Sequence, residues 1–158
     1  MMMFRFGMIL ALLVFVADQA SKWWILERVM TPPRTVEVTS FFNLVLTYNR
    51  GVSFSLFNTS SAANPYIFAG LAVIIAIALA VWLRRIEYRL PATGIGLVIG
   101  GAVGNALDRL RFGGVVDFLD FHLDGNHWPA FNVADSAIVV GAGLLIIDAL
   151  FRRRESPK

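Results

Sequence analysis

GNALDRLRFGGVVDFLDFHLDGNHWPAFNVADS, residues 104–136, lies between two hydrophobic runs and holds five of the eleven acidic residues: Asp108, Asp117, Asp120, Asp124 and Asp135. A purely structural connection between membrane helices has no need of carboxylates set among Val, Phe and Leu. Taking such a charge out of water is costly, so it neutralises or finds a partner. Asp117 in VVDF and Asp135 in FNVADS are the two expected to pair. Two carboxylates held close cannot both ionise easily, so they share a proton and supply an acid and a base at once. That is the chemistry of an aspartic peptidase. Strand alternation over VVDFLDF would group Val115, Asp117, Leu119 and Phe121 on one face and leave Asp120 on the other, as the surface carboxylate. Asp135 enters from a helix start, where the dipole favours its ionised form. Spacing alone does not make the two meet.

The flanking runs set the architecture. Upstream, residues 90–107 read as a helix interrupted by Gly96, Gly100 and Gly104, the small-xxx-small ridge that lets a neighbouring helix approach closely. Asn105, Asp108 and Arg109 follow within one turn, with Arg109 available to a carboxylate. Downstream, residues 134–151 read as another span. Asn132 is its N-cap and Asp135 stands three positions on, as in a capping box; on local pattern alone, that could be all Asp135 does. Asp148 is expected to pair with Arg152, Arg153 and Arg154 at the far end.

Further out, residues 65–83 carry no charge and are just long enough, at about 1.5 Å per residue, to cross a ~30 Å hydrocarbon layer. Pro32-Pro33 closes a first apolar run, residues 6–27, read as an uncleaved span with Trp23 and Trp24 near its outer end. Within it Asp18 and Lys22 stand four apart on one face, either a pair that makes the helix end tolerable or part of the polar surroundings of the site. Between Pro33 and the second span, residues 36–57 alternate in the manner of strands. A hairpin over 41–57 is expected, with its turn at Asn49-Arg50-Gly51; Asn49 is a turn former or a substrate-binding residue.

The whole is one domain, residues 1–158: four membrane helices, a small β-sheet outside the membrane, and an extracytoplasmic loop at 108–133. With 57% hydrophobic residues and 16% charged, no ordinary soluble domain fits. The absence of Cys excludes disulfides, thiolate catalysis and cysteine-bound zinc. Eight of the fourteen basic residues (Arg5, Arg84, Arg85, Arg89, Arg152, Arg153, Arg154 and Lys158) fall at one end of such a bundle. The positive-inside rule puts that end, with both termini, in the cytoplasm. Basic residues spread in this way make no groove for nucleic acid, so no nucleic-acid partner is expected.

Taken together, DQASK (18–22), YNRGVSFSLF (48–57), GGAVGNALDR (100–109), VVDFLDF (115–121) and FNVADS (131–136) resemble the successive blocks of bacterial lipoprotein signal peptidase, signal peptidase II. The resemblance spans almost the whole chain and its last three blocks are specific in combination. It implies a four-helix inner-membrane aspartic endopeptidase with a periplasmic β-cradle. Such an enzyme removes the signal peptide of prolipoproteins just before the diacylglyceryl-modified Cys. Asp117 and Asp135 match the family's catalytic pair; Asp18, Asn49, Gly51, Asn105, Arg109 and Asn132 match its polar substrate positions, and Lys22 matches its block. Val52-Ser53 stands where two alanines are common. The implied partners are a diacylglyceryl-modified prolipoprotein and membrane lipids, with the enzyme a monomer and no cofactor or metal. The rivals are a proton-coupled transporter, which needs polar groups through the bilayer depth, a non-catalytic membrane scaffold, and a metallopeptidase built on His122, Asp124 and His127, whose spacing lacks the helical zinc motif.

Overall fold

The computed structural model describes residues 1–51 and 63–152. Four helices long and apolar enough to cross a membrane make this a multi-pass membrane protein: α1 (Met2–Trp24), α2 (Asn64–Leu83), α3 (Arg89–Phe112) and α4 (Val133–Arg152). A π-helical turn, Ile25–Val29, extends α1. Strands β1 (Val36–Thr39), β2 (Phe42–Asn49), β3 (Val115–Leu123) and β4 (Asn126–His127) form one antiparallel sheet in that order. This is the mainly helical fold with a small sheet that the hydropathy pattern predicts.

Helix α3 is the hub and packs against all three others. Its glycines permit this, for two stripes of it have no room for a side chain. A Cβ on Gly96 or Gly100 would stand 2.5 Å from the carbonyl of Gly7 or Ala11 on α1, and one on Gly101 would stand 2.5 Å from the carbonyl of Ala134 on α4. Without water to drive helices together in lipid, such close backbone packing is what holds a bundle. Polar-poor α2 shows Ile67, Leu71, Ile74 and Val81 outward, and α4 shows Val139, Val140, Ile146 and Leu150, as lipid-facing surfaces do.

At the opposite end from the helix start Met2, Ile25, Met30 and Phe118 form a second core with Leu44, Leu46 and Val133, pinning the sheet to the bundle. Three expectations change here. Residues 108–112 belong to α3, which runs on until Gly113 adopts a left-handed φ of 70° and caps it. The hairpin is β1–β2, turning at Ser40-Phe41, and the opposite edge of β2 pairs with β3 through Asn43↔Asp120, Thr47↔Asp117 and Asn49↔Val115. The other arm expected for it, residues 52–57, lies outside the described residues, as does the Arg152–Arg154 side-chain cluster proposed for Asp148. Lastly, β3 is buried on both faces from Val115 to Phe118, so simple alternation does not sort its side chains into wet and dry.

Candidate active site

Asp117 lies on β3, 1% exposed, where the strand leaves the end of α3. Asp135 lies in the first turn of α4, half-buried. Two asparagines tie them together. Asn132 Nδ2 donates to Asp117 Oδ1 at 2.7 Å, and Asn105 Nδ2 donates to Asp135 Oδ1 at 2.7 Å. The two amides meet at 3.3 Å, Asn132 Nδ2 to Asn105 Oδ1. The capping box is also real: Asn132 Oδ1 accepts from the Asp135 amide at 2.9 Å, and Asp135 Oδ2 accepts from the Asn132 amide at 3.3 Å. That backbone bond fixes which end of the Asn132 amide is oxygen, and therefore which end faces Asp117. Capping and the site thus use the same atoms.

Burial pushes the Asp117 carboxyl up to about 6, and the neighbouring Asp135 charge pushes it the same way; hydrogen bonds from Asn49 and Asn132 and the charge of Lys22 hold it back. Asn49, at the end of β2, is the turn former foreseen for it and also reaches Asp117. It bonds Asp117 and accepts the Gly51 amide at 2.9 Å in a turn, where Gly51 has a φ of 84° that favours glycine. Arg109, on α3, donates to the Asn105 carbonyl at 3.1 Å, lies over the Phe68 ring, and stands in the field of Asp135 above all.

Beneath the pair is a buried ionic knot. Lys22 Nζ contacts Asp18 Oδ2 at 2.8 Å, Asp108 Oδ2 at 2.7 Å and Asn105 Oδ1 at 3.2 Å. Gln19 bridges the two carboxylates at 3.1 and 3.0 Å. Asp18 Oδ1 accepts the Ala134 amide at 3.0 Å, and Asp108 Oδ2 accepts the Val116 amide at 3.2 Å. Asp18 is therefore more than half of a helix pair: it holds α4 where Asp135 begins. A charge set this dry survives only when every member is paired and hydrogen-bonded. Asp108 is one carboxylate that Arg109 could have taken, and its cation is instead Lys22. The sequence did hold the clue, because Gly96, Gly100, Gly104 and Asp108 continue one four-residue ridge that faces α1.

Asp120 is a correction as well. It is 6% exposed, bonded by Asn43 at 3.2 Å and by the His127 imidazole at 2.9 Å, and is no surface carboxylate. Of the metal candidates, His122 stacks on His127 at 4.9 Å, while Asp124 stands exposed in a turn.

Comparison with known proteins finds relatives that share most of the chain and its fold. The family model described as signal peptidase (SPase) II matches residues 10–151. A lipoprotein signal peptidase of Paraburkholderia phytofirmans is 46% identical over 147 residues, 92% of this chain and 85% of that protein. One of Cupriavidus necator is 48% identical over 149 residues, 93% and 84%. Two solved structures described as bacterial membrane enzymes superpose with TM-scores of 0.80 and 0.78, at 29% and 31% identity. They cover 96% and 91% of this chain, and 92% of each solved chain is covered in return.

Proposed function

The chain belongs to the signal peptidase II family, and from that premise we propose that it hydrolyses prolipoproteins just before the diacylglyceryl-modified Cys, with Asp117 and Asp135 as its catalytic pair. The observation that carries this reading is the bonded chain Asp117–Asn132–Asn105–Asp135, which links a strand-borne and a helix-borne carboxyl without satisfying either fully. Burial and the neighbouring Asp135 charge raise the Asp117 carboxyl to about 6, which suits it to deliver a proton, while Asp135 accepts two hydrogen bonds at a helix N-terminus. Asp135 takes a proton from the attacking water while the Asp117 carboxyl donates to the scissile carbonyl oxygen. The tetrahedral adduct then collapses, the C–N bond breaks, and the nitrogen leaves with a proton from the pair.

Depth fits the substrate. The precursor's acyl chains and its apolar signal peptide keep the scissile bond at the membrane surface, and the pair sits where α3 and α4 meet the sheet. On the charge distribution the termini are cytoplasmic, the sheet and the pair face the periplasm, and the membrane is the bacterial inner one. Asp18, Asn49, Gly51, Asn105, Arg109 and Asn132 shape the polar surroundings, lipids enclose the helices, and a monomer suffices because one chain carries the complete pair.

The test is cleavage of a lipidated precursor by purified protein. Asp117→Asn and Asp135→Asn keep the side-chain size but cannot pass a proton, so each should abolish turnover, and the double variant should be hardly worse than either. Asp124→Asn, exposed in its turn, is the control and should remain active. Appreciable turnover by a correctly inserted Asp117→Asn or Asp135→Asn protein would sink the dyad.

A further inference from the structure

Lys22 is a buried cation for which the proposed hydrolysis has no use. It lies on α1, 2% exposed, and an ammonium group has three N–H donors. Three acceptor oxygens stand around its Nζ: Asp18 Oδ2 at 2.8 Å, Asp108 Oδ2 at 2.7 Å and Asn105 Oδ1 at 3.2 Å. Followed outwards, each acceptor leads to one member of the proposed pair. Asp18 takes the Ala134 amide through Oδ1 at 3.0 Å, and Ala134 is the residue before Asp135. Asp108 takes the Val116 amide at 3.2 Å, and Val116 is the residue before Asp117. Asn105 reaches Asp135 itself, Nδ2 donating to Oδ1 at 2.7 Å. Helices α1, α3 and α4 and strand β3 thus converge on one nitrogen.

The third arm has a direction. An ammonium can only donate, so the end of Asn105 that it meets is the oxygen, and the amide is not free to turn over. Asn132 Nδ2 approaches the same oxygen at 3.3 Å. The Asn105 NH2 is thereby committed to Asp135. With the cation gone, the amide would be free to turn and set its oxygen against the Asp135 carboxylate.

Such a group does little for stability. Asp18 and Asp108 are both 0% exposed, and an apolar set of similar volume holds helices as well as a buried ionic one, or better. What apolar side chains lack is a fixed length between two peptide N–H groups on different elements. Val116 and Ala134 are themselves 0% exposed, so water does not stand in for either carboxylate.

We propose that Lys22 is a positioning residue for the hydrolytic pair: through Asp18 and Asp108 its ammonium sets the spacing between the peptide groups that carry Asp135 and Asp117, and through Asn105 it aims the Asp135 side chain. The proposal rests on Asp117 and Asp135 being that pair.

Lys22→Met alone would strand two buried carboxylates, so the variant of choice is a neutral set, Lys22→Met with Asp18→Asn and Asp108→Asn, which keeps an acceptor for each peptide N–H. Full-length protein in lipid nanodiscs is followed by thermal unfolding and by cleavage of a lipidated precursor. The neutral set should melt close to wild type or above it and keep KM within about threefold. Its kcat should fall on the order of a hundredfold, the effect of misplacing reacting groups by about 1 Å. A role in stability alone predicts wild-type kcat once the melt is restored, and that result overturns the proposal. If the neutral set does not fold, Lys22→Arg decides. It keeps the charge but ends in a planar fork in place of a compact ammonium, so it should melt as wild type does and lose kcat roughly tenfold. Wild-type kcat in folded Lys22→Arg protein would likewise overturn the assignment. Asp117→Asn in the same assay keeps the two readings apart: turnover by that variant strikes the pair, whereas an inactive Asp117→Asn beside a fully active neutral set strikes Lys22 alone.

Discussion

Asp117 stores a cost that a neutral residue would not carry. Its carboxyl is raised from 3.8 to about 6 by burial and then by Asp135. Between those values the folded protein holds a proton that the unfolded chain has released. Stability therefore falls as pH rises through that window, and stays lower above it. Asp117→Asn has no such proton to lose. It should be more stable than wild type at pH 8, by up to about 3 kcal/mol, with the gap closing as pH drops towards 4; thermal unfolding in detergent at several pH values checks this. A dead enzyme that is also a more stable one would separate chemistry from folding. The two arginines near the end of α3 offer a second contrast. Arg109 bonds the Asn105 carbonyl and stands in the field of Asp135, whereas Arg111 is exposed and lies over the Phe112 ring. Arg109→Ala should lower kcat/KM by tenfold or more, on the order of 1.4 kcal/mol or above, and Arg111→Ala by less than about twofold. Equal, mild losses in the cleavage assay would demote Arg109 to a surface charge.

Among the elements, α3 decides whether the site assembles. A methyl on Gly104 would stand 2.6 Å from Asp18 Oδ2, the oxygen that also holds Lys22, whereas one on Gly143 of α4 meets nothing within 4 Å. Gly104→Ala should cost roughly 1–3 kcal/mol through overpacking and lower activity with it, while Gly143→Ala should be neutral or slightly stabilising; thermal melts of the pair of variants test the contrast. The helices were legible because a lipid-facing span must be apolar for its whole length, and the glycine ridge because its spacing is that of one helix face. What stayed hidden was the partner of each polar group. Nothing in DQASK says that Lys22 finds Asp108 on another helix, since that pairing depends on how α1 and α3 approach. The sheet was half legible. Its alternation was plain, but strand pairing is a long-range choice, and β2 took β3 for its partner. One local signal was missed: Asp124-Gly125, with φ values of 47° and 78°, is the two-residue turn that joins β3 to β4.

For the whole molecule, the charge bias makes a topological prediction. Fusions after Arg154 should be active only for a cytoplasmic reporter and fusions at residues 58–63 only for a periplasmic one; the reverse pattern would put the pair on the wrong side for its substrate. Asn132 adds a mechanical consequence. It caps α4, accepts the Asp135 amide, and through one side-chain nitrogen grips both the Val116 carbonyl and Asp117. The helix and the strand are thereby clamped at one point, which holds the proposed pair at one height along α4. The enzyme is a depth gauge. If the precursor is anchored by its own acyl tails, as proposed, it rides up or down as the bilayer thickens or thins while the pair keeps its height along α4, so acyl-chain length in the surrounding lipid should tune the rate of cutting even where every side chain is left as it is.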